Sequence, residues 1–102
     1  MKTDNEARVS VLMTHPVGLH ARPSVKLTKL AKSFAAKVEL AVEEDGPWID
    51  AKSIVKVMAT KAPGNRLLHL RASGADAGEA VAALADLVRR DFDEGGGDVA
   101  HG

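Results

Sequence analysis

The chain has 102 residues, with 14 acidic and 14 basic side chains and no cysteine. This length supports a single domain, the lack of cysteine excludes disulfides and thiolate metal or redox sites, and a zero formal charge with one tryptophan and two phenylalanines argues against nucleic-acid binding. No apolar run approaches the roughly 20 residues needed to span a bilayer, and the polar N-terminus lacks the apolar core of a secretory signal, so we expect a cytoplasmic protein without a membrane partner.

The first two predicted elements are a strand and a helix. Apolar and polar residues alternate over 8–14, which is typical of a half-buried strand. A loop containing proline and glycine interrupts it. A helix is then expected over 21–35, with Pro23 tolerated in its first turn. Apolar residues at helical spacing define its core face, namely Pro23, Leu27, Leu30, Ala31 and Phe34. The basic residues Arg22, Lys26 and Lys29 are expected on an exposed face.

The middle of the chain predicts a hairpin and a short helix. Residues 37–43 alternate as a strand, Gly46 belongs to a hairpin turn, and residues 48–50 form the short return strand. Ser53 is suited to cap a short second helix. Its inner side is expected to carry Ile54, Val57 and Met58.

The last third predicts a turn over 62–65, a strand over 66–72 and a helix over 77–91. Asp76 is a candidate N-cap, and Glu79 three residues later indicates a variant of the capping box. The order β-α-β-β-α-β-α predicts an α+β fold, with four antiparallel strands in an open-faced sandwich and three helices on one face. We expect one domain over 1–92 and a flexible, glycine-rich tail over 93–102.

A histidine directly precedes the first predicted helix. The first N–H groups of a helix have no intrahelical partners, and with the helix dipole they favour an anion by about 0.3–1 kcal/mol. A phosphate on His20 would meet such amides, in a cradle predicted to involve Gly18 and Ala21, where Gly18 lets the loop bend. Imidazole is a nucleophile near neutral pH, and the guanidinium of Arg22 offers paired donors to phosphate oxygens.

From the residues alone, a second interpretation of this segment stays open. A histidine near a helix start is also found as a simple cap or a solvated loop residue, and short motifs match by chance. An arginine near a helix N-terminus is electrostatically unfavourable, which is a local conflict of the kind found at functional sites. Phosphate acceptance and a bland structural role are both compatible with the pattern at His20.

Three segments resemble the HPr family, the histidine-containing phosphocarriers of the bacterial phosphotransferase system. Residues 18–23 (GLHARP) are similar to its active-site signature, 52–58 (KSIVKVM) to its second-helix motif with a regulatory serine, and 72–76 (ASGAD) to the turn before its last helix. They occur in the family's order and at about its spacing. The resemblance covers roughly residues 8–91. It implies an open-faced sandwich of four antiparallel strands and three helices, in agreement with the predicted elements.

The resemblance also implies an activity. Enzyme I, itself phosphorylated from phosphoenolpyruvate, would transfer a phosphoryl group to Nδ1 of His20, and an enzyme IIA domain of the sugar phosphotransferase system would accept it. Arg22 corresponds to the phosphate-binding arginine. The protein would be a monomeric carrier with a covalent phosphohistidine, not a stand-alone catalyst, and would need neither a metal nor another cofactor.

Ser53 has two compatible roles, as an N-cap and, by the resemblance, as the residue that HPr kinase/phosphorylase modifies in some relatives. The family's docking surface for enzyme I and enzyme IIA combines apolar and basic residues. The resemblance assigns to it Val17, Lys26, Lys29, Val55, Lys56 and Met58. Exposed lysines on a helix are also ordinary surface residues, so both interpretations of the basic positions stay open.

The sequence departs from the family pattern at the end of the second helix. Lys61 stands where many relatives have glycine, and Ala62-Pro63-Gly64 replaces their usual loop, so we expect this helix exit to be built differently. No functional role is expected for His15, His69 on the outer face of its strand, His101, or Trp48, which is expected to pack on the hairpin.

Three other functions stay open. The nitrogen-related regulatory branch of the same system would use the same residues around His20. A chain phosphorylated at Ser53 could instead be a regulatory protein that docks a transcription factor. A ferredoxin-like nucleic-acid module is disfavoured by the few aromatic residues and the zero net charge.

Overall fold

The computed structural model describes residues 6–14 and 18–93. Four strands form one antiparallel sheet in the order β1-β4-β2-β3, with β1 at Glu6–Met13, β2 at Lys37–Ala41, β3 at Ile49–Asp50 and β4 at Arg66–Ser73. Three helices cover one face, with α1 at Ala21–Lys32, α2 at Ile54–Ala59 and α3 at Ala77–Arg89, and a 3-10 turn follows at Asp91–Asp93. The predicted order and the open-faced α+β architecture are confirmed. Within the described residues, no helix is long and apolar enough to cross a membrane.

The core lies between the helices and one face of the sheet. The register places Val9, Leu70, Leu40 and Ile49 in a single row across all four strands. Because side chains alternate along a strand, this row and the rows two residues away from it point toward the helices. Each fully buried Leu or Val side chain stabilises the fold by about 1.5–3 kcal/mol. The helices complete the core with buried residues that include Leu27, Val57, Leu84 and Val88, and Phe92 of the 3-10 turn.

Helix α1 ends three residues before its predicted end at residue 35. The backbone N–H and the hydroxyl of Ser33 both donate to the Leu30 carbonyl. Beyond it, the N–H groups of Ala35 and Ala36 donate to the carboxylate of Asp76 at 2.9 and 2.8 Å. The predicted capping box at α3 is therefore wrong, because Asp76 occupies the N-cap position but forms no side-chain cap.

The ends of β2, β4 and α3 also differ from their predicted positions by one or two residues. Strand β2 ends at Ala41 instead of residue 43, and α3 ends at Arg89 instead of residue 91. Strand β4 continues to Ser73, one residue beyond its predicted end. Asp93, the first residue of the predicted tail, belongs to the 3-10 turn and pairs with Arg90 at 3.0 Å. Residues 94–102 lie outside the described part of the chain.

The outer face of the sheet carries a cluster of polar and aromatic residues. The return strand begins at Ile49, one residue after its predicted start at Trp48. The Trp48 ring lies under two guanidinium groups, at 5.0 Å from Arg8 and 4.2 Å from Arg71. Arg71 also pairs with Glu39 at 2.8 Å. Such cation–π contacts contribute about 0.5–1 kcal/mol each at exposed sites. Trp48, which was predicted to pack on the hairpin, thus also contacts arginine side chains of β1 and β4.

His69 also lies on this outer face, as the alternation in β4 predicts. It is nevertheless buried, and its Nδ1 is 2.7 Å from the hydroxyl of Ser10 on the neighbouring strand. The burial of His69 and its hydrogen bond to Ser10 indicate that this histidine links β4 to β1 and has a structural role in the sheet.

Candidate functional site

His20 is the N-cap residue of α1. Its backbone is extended (φ −90°, ψ −165°), and its carbonyl accepts the first helical hydrogen bond, from the N–H of Ser24 at 3.0 Å. The imidazole does not cap the helix, and the residue is half-buried. A nucleophilic side chain therefore stands at the mouth of a helix of 12 residues.

The mouth of α1 is electrostatically positive. The N–H groups of Ala21 and Arg22 have no acceptor within the helix, and Pro23 has no N–H group. The first turn contains no acidic residue, and Arg22 is exposed. An anion at this helix start would meet amide dipoles without opposition from a carboxylate in that turn.

The loop that leads to His20 is held by the connection between α2 and β4. Gly18 has a φ of +82°, and a Cβ at this position would lie 2.1 Å from the Ala62 carbonyl oxygen. The N–H of Leu19 donates to that same oxygen at 2.9 Å. Gly18 thus allows close backbone packing in addition to the predicted bend.

Lys61 precedes this contact. Its φ is +50°, the left-handed conformation that a glycine would adopt at a helix end. We expected the end of α2 to have a different backbone geometry because it lacks a glycine, and this expectation is wrong. The lysine takes the left-handed conformation itself, and its N–H donates to the Met58 carbonyl at 3.1 Å.

The start of α2 confirms the predicted N-cap. The hydroxyl of Ser53 accepts a hydrogen bond from the N–H of Lys56 at 3.2 Å. Val57 is buried, but Met58 is 40% exposed, so its predicted place on the inner side is wrong. The reason is geometric, since successive helical residues are about 100° apart and a helix of six residues presents only Val57 fully to the core. Val55, at 74% exposure, and Met58 are both on the surface.

The basic residues of α1 differ from one another. Lys29 is exposed, but Lys26 is half-buried, and its ammonium group donates to the Phe92 carbonyl at 2.9 Å. The predicted fully exposed face is therefore wrong for Lys26, because the C-terminal turn packs beside it. Lys56 of α2 is exposed. His15, Val17 and His101 lie outside the described residues.

Sequence reasoning missed three residues of α1. Val25 is 51% exposed, between the buried positions of the helix. Ser24 and Thr28 are buried although both are polar. Their spacing of four residues inside the apolar stripe was the available signal, because residues at i and i+4 share a helix face.

Two clefts of the protein surface do not include His20. One of about 480 Å³ is lined by residues including Arg8, Lys37 and Arg71, and another of about 660 Å³ lies between the β2–β3 hairpin and α2. His20 lines neither of them. In residues 6–14 and 18–93, no group of three or more histidine and carboxylate side chains is arranged to hold a metal ion.

Comparisons with known proteins identify the family. A family model described as the PTS HPr component phosphorylation site matches residues 7–90. The phosphocarrier protein HPr of Cupriavidus necator is 42% identical over 79 residues, which cover 78% of this chain and 86% of that protein. The phosphocarrier protein NPr of Escherichia coli (strain K12) is 34% identical over 85 residues, which cover 83% and 93%.

A solved structure agrees with these matches. The crystal structure of HPr-C-His from Thermoanaerobacter tengcongensis has a TM-score of 0.79 and 32% sequence identity, and the match covers 86% of this chain and 97% of that one. The resemblance of this chain to the HPr family is thereby confirmed over residues 7–90. The chain belongs to the HPr phosphocarrier family of the phosphotransferase system.

Proposed function

We propose that this protein accepts a phosphoryl group on Nδ1 of His20 from phosphorylated enzyme I and passes it to an enzyme IIA domain. The observation that carries the proposal is the position of His20, half-buried as the N-cap of α1 with no acidic residue in the first helical turn. A carrier must hold a phosphate and still present it to a partner, and the mouth of a helix satisfies both requirements.

The chemistry requires a neutral imidazole. The lone pair of Nδ1 attacks the phosphorus of the donor, a P–N bond forms, and the bond to the donor breaks. Arg22 and the amide groups at the start of α1 stabilise the negative charge of the transferred group electrostatically and form no covalent bond with it, as is usual in phosphoryl transfer. In the onward step, the acceptor group of the enzyme IIA domain attacks the phosphorus, the P–N bond breaks, and the imidazole of His20 is released for the next transfer.

A docking surface is supported by exposed apolar residues on two adjacent helices. We define it by Val25 of α1 and by Val55 and Met58 of α2, which are 51%, 74% and 40% exposed. Helices α1 and α2 pack against each other, and the exposed side chains of Lys29 and Lys56 lie on the same two helices. Apolar residues beside cations suit a partner whose own surface is apolar and acidic.

The test is phosphorylation with enzyme I and phosphoenolpyruvate. Wild-type protein should gain one acid-labile phosphate on His20, and His20→Ala should gain none. His69→Ala is the matched control and should still be phosphorylated, because His69 lies on the outer face of the sheet. Phosphate found on any other residue by mass spectrometry would reject the proposal.

Arg22 is tested separately. Arg22→Lys keeps the charge but loses the planar pair of donors, so transfer should slow by roughly tenfold. Equal rates for arginine and lysine would remove the guanidinium from the proposed mechanism.

The nitrogen-related branch is the second candidate, supported by the similarity to NPr of Escherichia coli over 83% of this chain. Phosphorylated protein offered to enzyme IIA domains of both branches should transfer faster to the sugar-specific domain. Faster transfer to the nitrogen-related domain would assign the chain to the regulatory branch.

A further inference from the structure

The Leu19 carbonyl lies one residue before the N-cap of α1, so it accepts no hydrogen bond of the helical series. In a helix, the carbonyl of residue i accepts from the N–H of residue i+4. Residue 24 follows this rule, because its N–H donates to the His20 carbonyl at 3.0 Å. Leu19 lies before this series, so its carbonyl needs a donor from elsewhere, and residue 23 offers none because it is a proline without an N–H group.

The side chain of Ser24 supplies a donor to this carbonyl. Its hydroxyl donates to the Leu19 carbonyl at 3.2 Å. Ser24 has no exposed surface, and Leu19 is 3% exposed. Buried carbonyl groups normally accept a hydrogen bond. Because both residues are buried, water has little access to the Leu19 carbonyl and could not easily replace the Ser24 hydroxyl as its donor.

The bond acts on the peptide group that enters His20. The N–H of Leu19 is fixed to the Ala62 carbonyl at 2.9 Å, and the N–H of His20 donates to the Gly18 carbonyl at 2.9 Å. The Leu19–His20 peptide is planar, so the hydroxyl on its oxygen also sets the direction of the His20 N–H. The orientation of this plane determines where the imidazole stands relative to the mouth of α1.

We propose that Ser24 is a positioning residue for the phosphate acceptor, whose buried hydroxyl orients the Leu19–His20 peptide and thereby the imidazole of His20. This inference rests on the proposed role of His20 in phosphoryl transfer. Ser24 has no exposed surface and is not part of the docking surface, so its proposed effect acts through the position of His20.

Thr28 offers a matched control on the same helix. It is also buried, and its hydroxyl donates to the carbonyls of Ser24 and Val25 at 3.0 and 3.1 Å. These bonds stay inside α1 and do not reach the loop before His20. Thr28→Val therefore removes a buried hydroxyl at nearly constant volume without changing the donor to Leu19.

The experiment compares Ser24→Ala with Thr28→Val in steady-state phosphorylation by enzyme I. Ser24→Ala should lower kcat by roughly tenfold with little change in KM, because the substitution alters the position of the His20 imidazole and leaves the docking of enzyme I unchanged. Thr28→Val should keep kcat within about twofold of wild type. Ser24→Cys, which retains a weak donor, should fall between wild type and Ser24→Ala.

Hydrogen exchange gives a second measurement that does not depend on phosphorylation. The His20 amide should exchange faster in Ser24→Ala than in Thr28→Val, while amides in the centre of α1 stay equally protected in both. Equal kcat values for the two variants, or an unchanged exchange rate at His20, would overturn the inference. Absence of phosphate on His20 in the wild type would instead reject the proposed function, which separates the two failures.

Discussion

Helices α1 and α2 begin in opposite ways. The start of α2 is stabilised locally, because the hydroxyl of Ser53 accepts from an amide three residues later. The start of α1 has His20 at the same position, and its side chain does not cap the helix. The loop before α1 is held instead by the distant Ala62 carbonyl and by the buried hydroxyl of Ser24.

The difference shows how a helix start can be kept for chemistry. A side chain that caps its own helix occupies the amide groups that would otherwise meet an anion. When the N-cap residue is the proposed acceptor, the loop must be stabilised by contacts from other parts of the chain. Helix α3 shows a third arrangement, in which Asp76 holds the residues after α1 and leaves its own helix uncapped.

The largest expected effect comes from breaking the distant support of α1. Gly18→Ala places a methyl group 2.1 Å from the Ala62 carbonyl oxygen at a φ of +82°. Overpacking and a left-handed alanine together should destabilise the fold by about 3 kcal/mol. Chemical denaturation measures this loss, and phosphorylation of His20 should fall with it.

Gly78→Ala is the control for that substitution. Gly78 lies in α3, and apart from its chain neighbours and the nearby backbone of that helix no atom is within 4 Å of an added Cβ. Alanine there should stabilise the protein by about 0.5–1 kcal/mol. A Gly18→Ala protein as stable as wild type would show that the Ala62 contact does not support the loop.

The second effect concerns the support that Asp76 gives to the end of α1. The hydrogen bond from the Ala35 amide, with that from Ala36, lowers the pKa of Asp76 from its ordinary value of 3.8. A carboxyl group with a lowered pKa stabilises the fold fully above its unfolded-state pKa and loses this contribution as pH falls through the folded-state pKa. Asp76→Asn should lower Tm at neutral pH and reduce the loss of stability below pH 3.8.

Thermal unfolding across the acid range measures both parts of this prediction. Asp45→Asn, at an exposed position in the β2–β3 connection, should leave the curve unchanged. An Asp76→Asn protein with the acid sensitivity of wild type would contradict the role of the carboxylate.

The third effect separates the two roles of Ser53. Ser53→Ala should cost about 1 kcal/mol through loss of the cap and leave phosphoryl transfer intact. Ser53→Asp can still cap the helix, but its negative charge beside the docking surface should slow phosphorylation by enzyme I, because like charges oppose docking. Tm should change little in this variant.

Initial rates and melting curves of both variants test this separation. An unaltered rate for Ser53→Asp would leave Ser53 as a cap alone.

The smallest effect tests the connection that holds the loop before His20. Lys61 has a φ of +50°, so Lys61→Gly should relieve left-handed strain and stabilise the fold by about 0.5–1 kcal/mol after the entropic cost of glycine. Asn65→Gly, at a φ of +60°, should gain less, because asparagine tolerates this conformation. Denaturation midpoints distinguish the two, and equal gains would contradict the explanation.

The sequence by itself determined the order of elements and the facing of each strand. Alternation in residues 8–14, 37–43 and 66–72 depends on neighbours in the chain, and the covered face of β4 was predictable from Leu68 and Leu70. The position of His20 before α1 and the cap at Ser53 were predictable for the same reason, since both depend on a few consecutive residues.

Tertiary structure decided where α1 ends, how its mouth is supported and why polar residues are buried. The partners of the Ala35 amide and of the Leu19 amide are 41 and 43 residues away along the chain, and no local pattern contains them. Trp48 likewise gained its partners from β1 and β4, and His69 gained its partner from β1. Local spacing determines which face a side chain occupies, whereas its hydrogen-bond partner depends on which distant backbone the fold brings beside it.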